Sequence, residues 1–148
     1  MKNSLKANLK SPCIVELGGI GTPALGFITV CEEGNDFPFK IKRTYWTYFT
    51  PNNVERGGHA HHNLKQLIIS VNGIIKIKVE KLNGEVSNFT LDSPNKALYL
   101  DDVCWREIKF SHSAVLLCLA SENYRESDYI RDYRSFEKLK NSSNATKQ

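Results

Sequence analysis

KQLIISVNGIIKIKVEKLNGEVSNFTL, residues 65–91, is the stretch on which the fold turns. Ile75, Ile77 and Val79 alternate with Lys76, Lys78 and Glu80, the period of a strand with one face buried and the other in water. Asn-Gly occurs twice, at 72–73 and 83–84, each time between runs that favour strands. Asn-Gly suits the tight turn whose backbone twist matches that of two antiparallel strands. The pattern therefore predicts two successive hairpins, one at each Asn-Gly.

The flanking segments have the same character. ALGFITVCE (24–32) is apolar and β-branched, between the glycine- and proline-containing GGIGTP (18–23) and EGNDFP (33–38). KIKRTYWTYFT (40–50) is rich in strand-favouring residues and stops at PNN. KALYL (96–100), CWREIKF (104–110) and SAVLLCLAS (113–121) add three more candidate strands. Short strands at this spacing predict an all-β, antiparallel sandwich or barrel. Only SDYIRDYRSFEKLK (127–140) reads as helix, with Tyr129, Tyr133 and Phe136 on one face and Ser127 as its cap. Residues 141–148, like 1–10, are expected to be flexible, and nothing in between reads as a linker. The chain is thus expected to be one domain, 1–148.

Composition narrows the function. A chain of 148 residues is the size of one ordinary domain with a real core. Its net charge of +4 admits an anionic ligand, but no dense Lys/Arg stripe marks a nucleic-acid surface. No apolar run approaches the ~20 residues of a membrane-spanning helix, and MKNSLKANLKSP lacks the apolar core of a secretory signal. Cys13, Cys31, Cys104 and Cys118 are too scattered for paired zinc ligands, and read as reduced thiols of a cytoplasmic protein.

RGGHAHHN, residues 56–63, carries the chemistry. In an extended strand His59 and His61 share one face, and Ala60 and His62 the other. Paired imidazoles bind a metal, move protons or sit at a surface. The spacing resembles the first metal motif of the cupins, with Gln66 where their glutamate stands and Gly73 at their glycine. Two imidazoles and an amide are a poor donor set for a divalent ion, so no metal or other cofactor is expected. Histidine titrates nearest neutrality, and a metal-free pair suits acid–base work.

Taken in order, FPFKIKRTYWTYFTP, RGGHAHHNLKQ, VNG, LDSPNKALYLDDVCWREI and LLCLASENYRESDYIRDYRSF resemble the WxcM-like cupins. More narrowly they resemble the dTDP-4-keto-6-deoxyhexose 3,4-ketoisomerases, over about Phe37 to Phe136. The resemblance implies a single-domain cupin, a small antiparallel β-barrel or jelly roll with a short C-terminal helix. It also implies a metal-free isomerase acting on a dTDP-linked 4-keto-6-deoxyglucose through an enediol(ate). His59 then exchanges the proton on carbon and His61 carries the proton between oxygens, the reverse assignment staying open. Tyr45 hydrogen-bonds the developing enolate oxygen. Arg56 pairs with the diphosphate or polarises the ketone, and Gln66 orients or hydrogen-bonds the second histidine.

Two positions depart from the pattern. Arg106 stands where many relatives have histidine, and Leu25-Gly26 where they often have Arg-Gly. Both are expected to border the sugar and to favour a gluco-configured 3-keto product, on a route to 3-amino-3,6-dideoxy sugars of surface glycans. A homodimer is expected, because unpaired edge strands gain by pairing. The competing readings are an epimerase of the same superfamily and a non-catalytic sugar-binding cupin.

Overall fold

The computed structural model describes residues 9–145. Twelve strands follow one another: β1 (Cys13–Glu16), β2 (Gly19–Thr22), β3 (Gly26–Thr29), β4 (Arg43–Thr47), β5 (Glu55–His61) and β6 (Gln66–Asn72), then β7 (Ile75–Lys81), β8 (Val86–Leu91), β9 (Lys96–Leu100), β10 (Cys104–Phe110), β11 (Val115–Ala120) and β12 (Tyr129–Ile130). A helix, α1 (Tyr133–Ala145), ends the described chain. Among the described residues two five-stranded sheets form, in the orders β1-β9-β6-β11-β4 and β12-β5-β10-β7-β8, while β2 and β3 pair only with each other. Every named strand pair is antiparallel. The expected all-β jelly-roll class with a short C-terminal helix is what the chain adopts.

The main core lies between the sheets. Ile68, Leu98, Leu100, Leu116 and Cys118 of the first sheet meet Ile75, Ile77, Val79, Leu91 and Ile108 of the second. The outer faces are covered too. Phe37 and Phe39 pack with Val15, Leu67, Ile69 and Tyr99 behind the first sheet. Phe136 of α1 packs on Ala60, Trp105 and Ile130 behind the second. This explains why β6 is buried on both faces whereas β7 alternates buried and exposed.

One of the two expected hairpins forms. At Asn83-Gly84, β7 turns back on β8, with the Gly84 amide donating to the Lys81 carbonyl at 2.9 Å. At Asn72-Gly73 the expectation fails, because β6 pairs with β9 and β11 while β7 pairs with β8 and β10. The turn there is a corner that carries the chain from one sheet to the other. Ser111 completes it: its hydroxyl accepts from the Ile74 amide at 2.8 Å, and its own amide donates to the Ile74 carbonyl at 2.8 Å. Gly73 has φ 74°, and a Cβ there would stand 2.7 Å from the Ala114 backbone. Packing of the corner onto the 111–114 turn thus requires glycine.

Smaller differences share a local cause. GGIGTP supplies β2 rather than only punctuation, and β1 and β12 are too short to show a period. Asp132, not Ser127, caps the helix, its carboxylate accepting from the Ser135 amide at 3.0 Å. Ser127 lies in a 3-10 turn before it, and Tyr129 belongs to β12. Of the tail expected to be flexible, 141–145 is helical, and 146–148, like 1–8, lies outside the described residues.

Candidate active site

A cavity of about 360 Å³ opens between the two sheets. The first sheet supplies Arg43, Tyr45 and Thr47 of β4, Gln66 and Ile68 of β6, and Leu116 of β11. The second supplies Arg56, Gly57 and His59 of β5, with Arg106, Ile108 and Phe110 of β10. Tyr129 and Arg131 close one side.

A bulge in β5 decides which side chains reach the cavity. Arg106 pairs with His59 and Glu107 with Gly57, so Gly58 is the extra residue. Gly57 and Gly58 have φ of 85° and 61°, the left-handed region that glycine enters without strain. A Cβ on Gly57 would stand 2.6 Å from the Arg106 carbonyl oxygen. In a regular strand Arg56 and His59 point to opposite faces. The extra residue restores them to one face, opposite Ile108 and Arg106, and so both line the cavity.

The floor is a buried polar chain. Nε2 of Gln66 donates to the Tyr45 hydroxyl at 2.7 Å, and Oε1 of Gln66 accepts from Nη1 of Arg106. Arg106 is 1% exposed, and its partners are the neutral Gln66 and Cys104. Its Nε has no partner among the described residues, nor does Nε of Arg43. Among the described residues four guanidinium groups line the cavity, those of Arg43, Arg56, Arg106 and Arg131, and no carboxylate does. Glu126 pairs with Arg131 outside the lining. A buried cation without a counter-charge is costly, and a site built this way favours an anion or a developing negative charge.

Protonation follows from burial. Nδ1 of His59 donates to the Gly57 carbonyl at 3.0 Å, which leaves Nε2 as the free base nitrogen of the neutral ring. Burial first, then Arg106, pulls His59 down to about 4, against the bond to Gly57. Burial likewise drives the Tyr45 phenol well above its ordinary range, so it stays an O–H donor. Gln66 donates to the Tyr45 oxygen and the hydroxyl also hydrogen-bonds the buried Cys118 thiol, so a ligand oxygen would take the Tyr45 hydrogen from Cys118.

His61 is placed differently. It is 2% exposed and does not line the cavity. Its Nδ1 lies 3.0 Å from Asp128 Oδ2, and its ring packs edge-on against His59 and Tyr129. Burial first, then Arg106 and His59, holds it below the usual histidine range, although the Asp128 carboxylate pulls the other way. The expected bond from Gln66 to the second histidine is absent among the described residues. Gln66 is committed to Tyr45 and Arg106, and Asp128 is the partner of His61.

The sequence model described as "FdtA: WxcM-like, C-terminal" matches residues 11–141. The chain belongs to this family. Within it, the chain is 39% identical over 114 residues to the TDP-4-oxo-6-deoxy-alpha-D-glucose-3,4-oxoisomerase of Aneurinibacillus thermoaerophilus, covering 76% of this chain and 81% of that one. A mutant of the 3,4-ketoisomerase QdtA from Thermoanaerobacterium thermosaccharolyticum, solved with TDP-4-keto-6-deoxyglucose, superposes with a TM-score of 0.84 at 33% identity, over 90% of this chain and 96% of that one. The TDP-quinovose 3,4-ketoisomerase WlaRB of Campylobacter jejuni gives 0.80 at 36% identity, over 88% and 99%.

Tyr45, Arg56, His59, Gln66 and Arg106 meet in one cavity, as the WxcM-like motifs led one to expect. Leu25 does not join them. It sits in the turn between β2 and β3, 89% exposed and off the cavity wall. The sequence reading missed Arg43, Thr47, Tyr129, Arg131 and Asp128. Arg43 and Thr47 were accessible, since each lies two residues from Tyr45 on a strand and so shares its face. Tyr129 and Arg131 were masked by the helical reading of their segment.

Proposed function

We propose that the protein catalyses the 3,4-ketoisomerisation of dTDP-4-keto-6-deoxy-D-glucose to a dTDP-3-keto-6-deoxyhexose without a metal. One observation carries the reading: a neutral imidazole base, His59, faces the same cavity as the protonated phenol of Tyr45 and four guanidinium groups. Nε2 of His59 takes the proton from C3, and the electron pair moves through the new C3–C4 double bond onto O4. Arg106 and the Tyr45 hydroxyl stabilise that oxyanion. Tyr45 gives its proton to O4 and recovers one from O3, while His59 returns its proton to C4, leaving the ketone at C3. Bond changes and protons balance with no redox partner. His61, set behind the wall, is thereby moved from proton shuttle to support of His59.

Arg43, Arg56 and Arg131 supply charge for the diphosphate at the cavity mouth. A metal has a poor fit here, because the Gln66 oxygen is already engaged by the Arg106 guanidinium where a cation would need it. The gluco configuration at C4 is favoured, with Arg106 shaping the floor. The 3-keto group is the carbonyl that transfer of an amine to C3 requires, which supports a place in 3-amino sugar synthesis.

A homodimer completes the reading. Among the described residues the β2–β3 hairpin pairs with no other strand and exposes Ile20, Leu25, Phe27 and Ile28, while β4 leaves an unpaired sheet edge beside exposed Trp46 and Phe49. In such a dimer Leu25 borders the sugar of the neighbouring copy, not of its own. Among the described residues no helix is long and apolar enough to cross a membrane. A cytoplasmic biosynthetic enzyme without nucleic-acid partners fits the chemistry.

The deciding experiment is incubation with dTDP-4-keto-6-deoxyglucose in D2O, followed by NMR. Exchange at C3 and a 3-keto product are expected. Exchange at C5 alone would make it an epimerase, and tight dTDP binding without conversion would make it a binding protein.

A further inference from the structure

One contact between a part-buried carboxylate and a buried histidine has no task in the catalytic steps. Asp128 lies 67 positions from His61 in sequence, yet its Oδ2 is 3.0 Å from Nδ1 of that ring. Its other oxygen, Oδ1, accepts from the Asn63 backbone amide at 2.8 Å and from the Asn63 side-chain amide at 3.4 Å. The Asp128 carbonyl accepts from the His62 amide at 3.0 Å. Oδ2 is therefore held at His61, the last residue of β5, and Oδ1 just beyond that strand, at Asn63. The carboxylate is an acceptor only, so the hydrogen on the neutral His61 ring must sit on Nδ1. The His61 ring fills the space between Asp128, Tyr129 and His59, with centroids 4.2 Å from Tyr129 and 4.9 Å from His59.

We infer that Asp128 is a positioning residue: it fixes the tautomer and plane of His61, and the edge of His61 in turn holds the His59 ring that acts as base. The inference rests on the reading of His59 as the C3 base and assigns Asp128 no contact with the sugar. A carboxylate that holds an imidazole by Nδ1 is a recurrent way of orienting a catalytic group, and small rotations of a base are costly to rate.

Asp128→Asn isolates the effect. Oδ1 stays with the Asn63 donors, so the new amide presents N–H to Nδ1 of His61. Two donors then face each other, and the His61 hydrogen moves to Nε2. 15N-resolved NMR of the uniformly labelled protein, free of substrate, should show His61 with hydrogen on Nδ1 in the native chain and on Nε2 in Asp128→Asn. Turnover should fall about 100-fold or more, with KM and dTDP affinity within about threefold, since the cavity lining is untouched. Asp128→Glu keeps the acceptor, and should keep the native tautomer and much more of the turnover than Asp128→Asn. A native His61 carrying its hydrogen on Nε2 would overturn the assignment, whether or not the variants fold. So would native turnover in an Asp128→Asn protein whose tautomer has inverted, or equal losses in the Asn and Glu variants. The tautomer is read without substrate, so a failure of the ketoisomerase reading, seen as a native protein with no C3 exchange, is distinguishable from a failure of this one.

Discussion

The side-chain amide of Gln66 donates to the hydroxyl of Tyr45 at 2.7 Å, and the same amide accepts from Arg106 through its oxygen. Only an amide can do both, because a carboxylate has no hydrogen for the phenol. Gln66→Glu should therefore turn the Tyr45 O–H toward residue 66 and away from the sugar, while pairing more tightly with Arg106. Turnover should fall about 10- to 100-fold with little change in dTDP binding. Steady-state kinetics beside calorimetric binding checks this, and an unchanged kcat would remove Tyr45 from the proton path.

His59 is the base in the cavity, and its loss should be felt on carbon. His59→Asn should cut C3 exchange by 10²–10⁴-fold or more and leave dTDP binding nearly intact. His62 follows the end of β5 and lies off this cavity, so His62→Asn should cost little. Solvent-deuterium exchange followed by NMR compares them, and equal damage would mean that the facing of the strand end is misassigned.

Metal independence is expected as well. Among the described residues, no group of three His, Cys, Asp or Glu side chains is placed to hold an ion. Activity should survive exhaustive chelation. Loss on chelation, with recovery on adding one particular divalent ion, would refute the metal-free mechanism.

The buried histidines make stability depend on pH in a defined sense. His59 titrates near 4 when folded and near 6.5 as an ordinary histidine, so between these values the unfolded chain holds more protons. Stability contributed by the neutral ring is present above 6.5 and is lost as pH falls toward 4, with His61 adding in the same direction. The loss for His59 should be about 2 kcal/mol at pH 4.5 after allowing for its partial exposure. Denaturant unfolding at pH 7 and 4.5 measures it, and His59→Gln should flatten the dependence. An equally steep dependence in that variant would place its origin elsewhere.

Product stereochemistry tests Arg106 and Leu25 together. C4 is trigonal in both the 4-keto substrate and the enediolate, so its configuration is set only when a proton is added, and the outcome depends on which ring face meets His59. Arg106→His combined with Leu25→Arg should shift product toward the galacto isomer while C3 exchange continues. The H4 couplings in the product spectrum distinguish the two. A galacto product from the native chain would refute the gluco assignment and leave the isomerase reading standing.

Sequence alone determined the all-β class, the β7–β8 hairpin and the alternation that buries Ile75, Ile77 and Val79, and its likeness to the WxcM-like cupins pointed to Tyr45, Arg56, His59, Gln66 and Arg106, which share the cavity, along with His61 and Leu25, which do not line it. These were legible because alternation follows from the pleat and Asn-Gly turns are set by their own backbone angles. Tertiary structure decided the rest. Whether Asn72-Gly73 makes a hairpin or a corner depends on which strands flank β6 and β7, and that is settled by covering both faces of β6, not by the turn. The facing of Arg56 depends on a bulge closed against the Arg106 backbone. The burial of His61, its bond to Asp128 and the exposed place of Leu25 depend on segments far apart in sequence. Local rules fix which way a side chain points along its own strand, whereas the neighbour it meets is chosen by how the sheets stack.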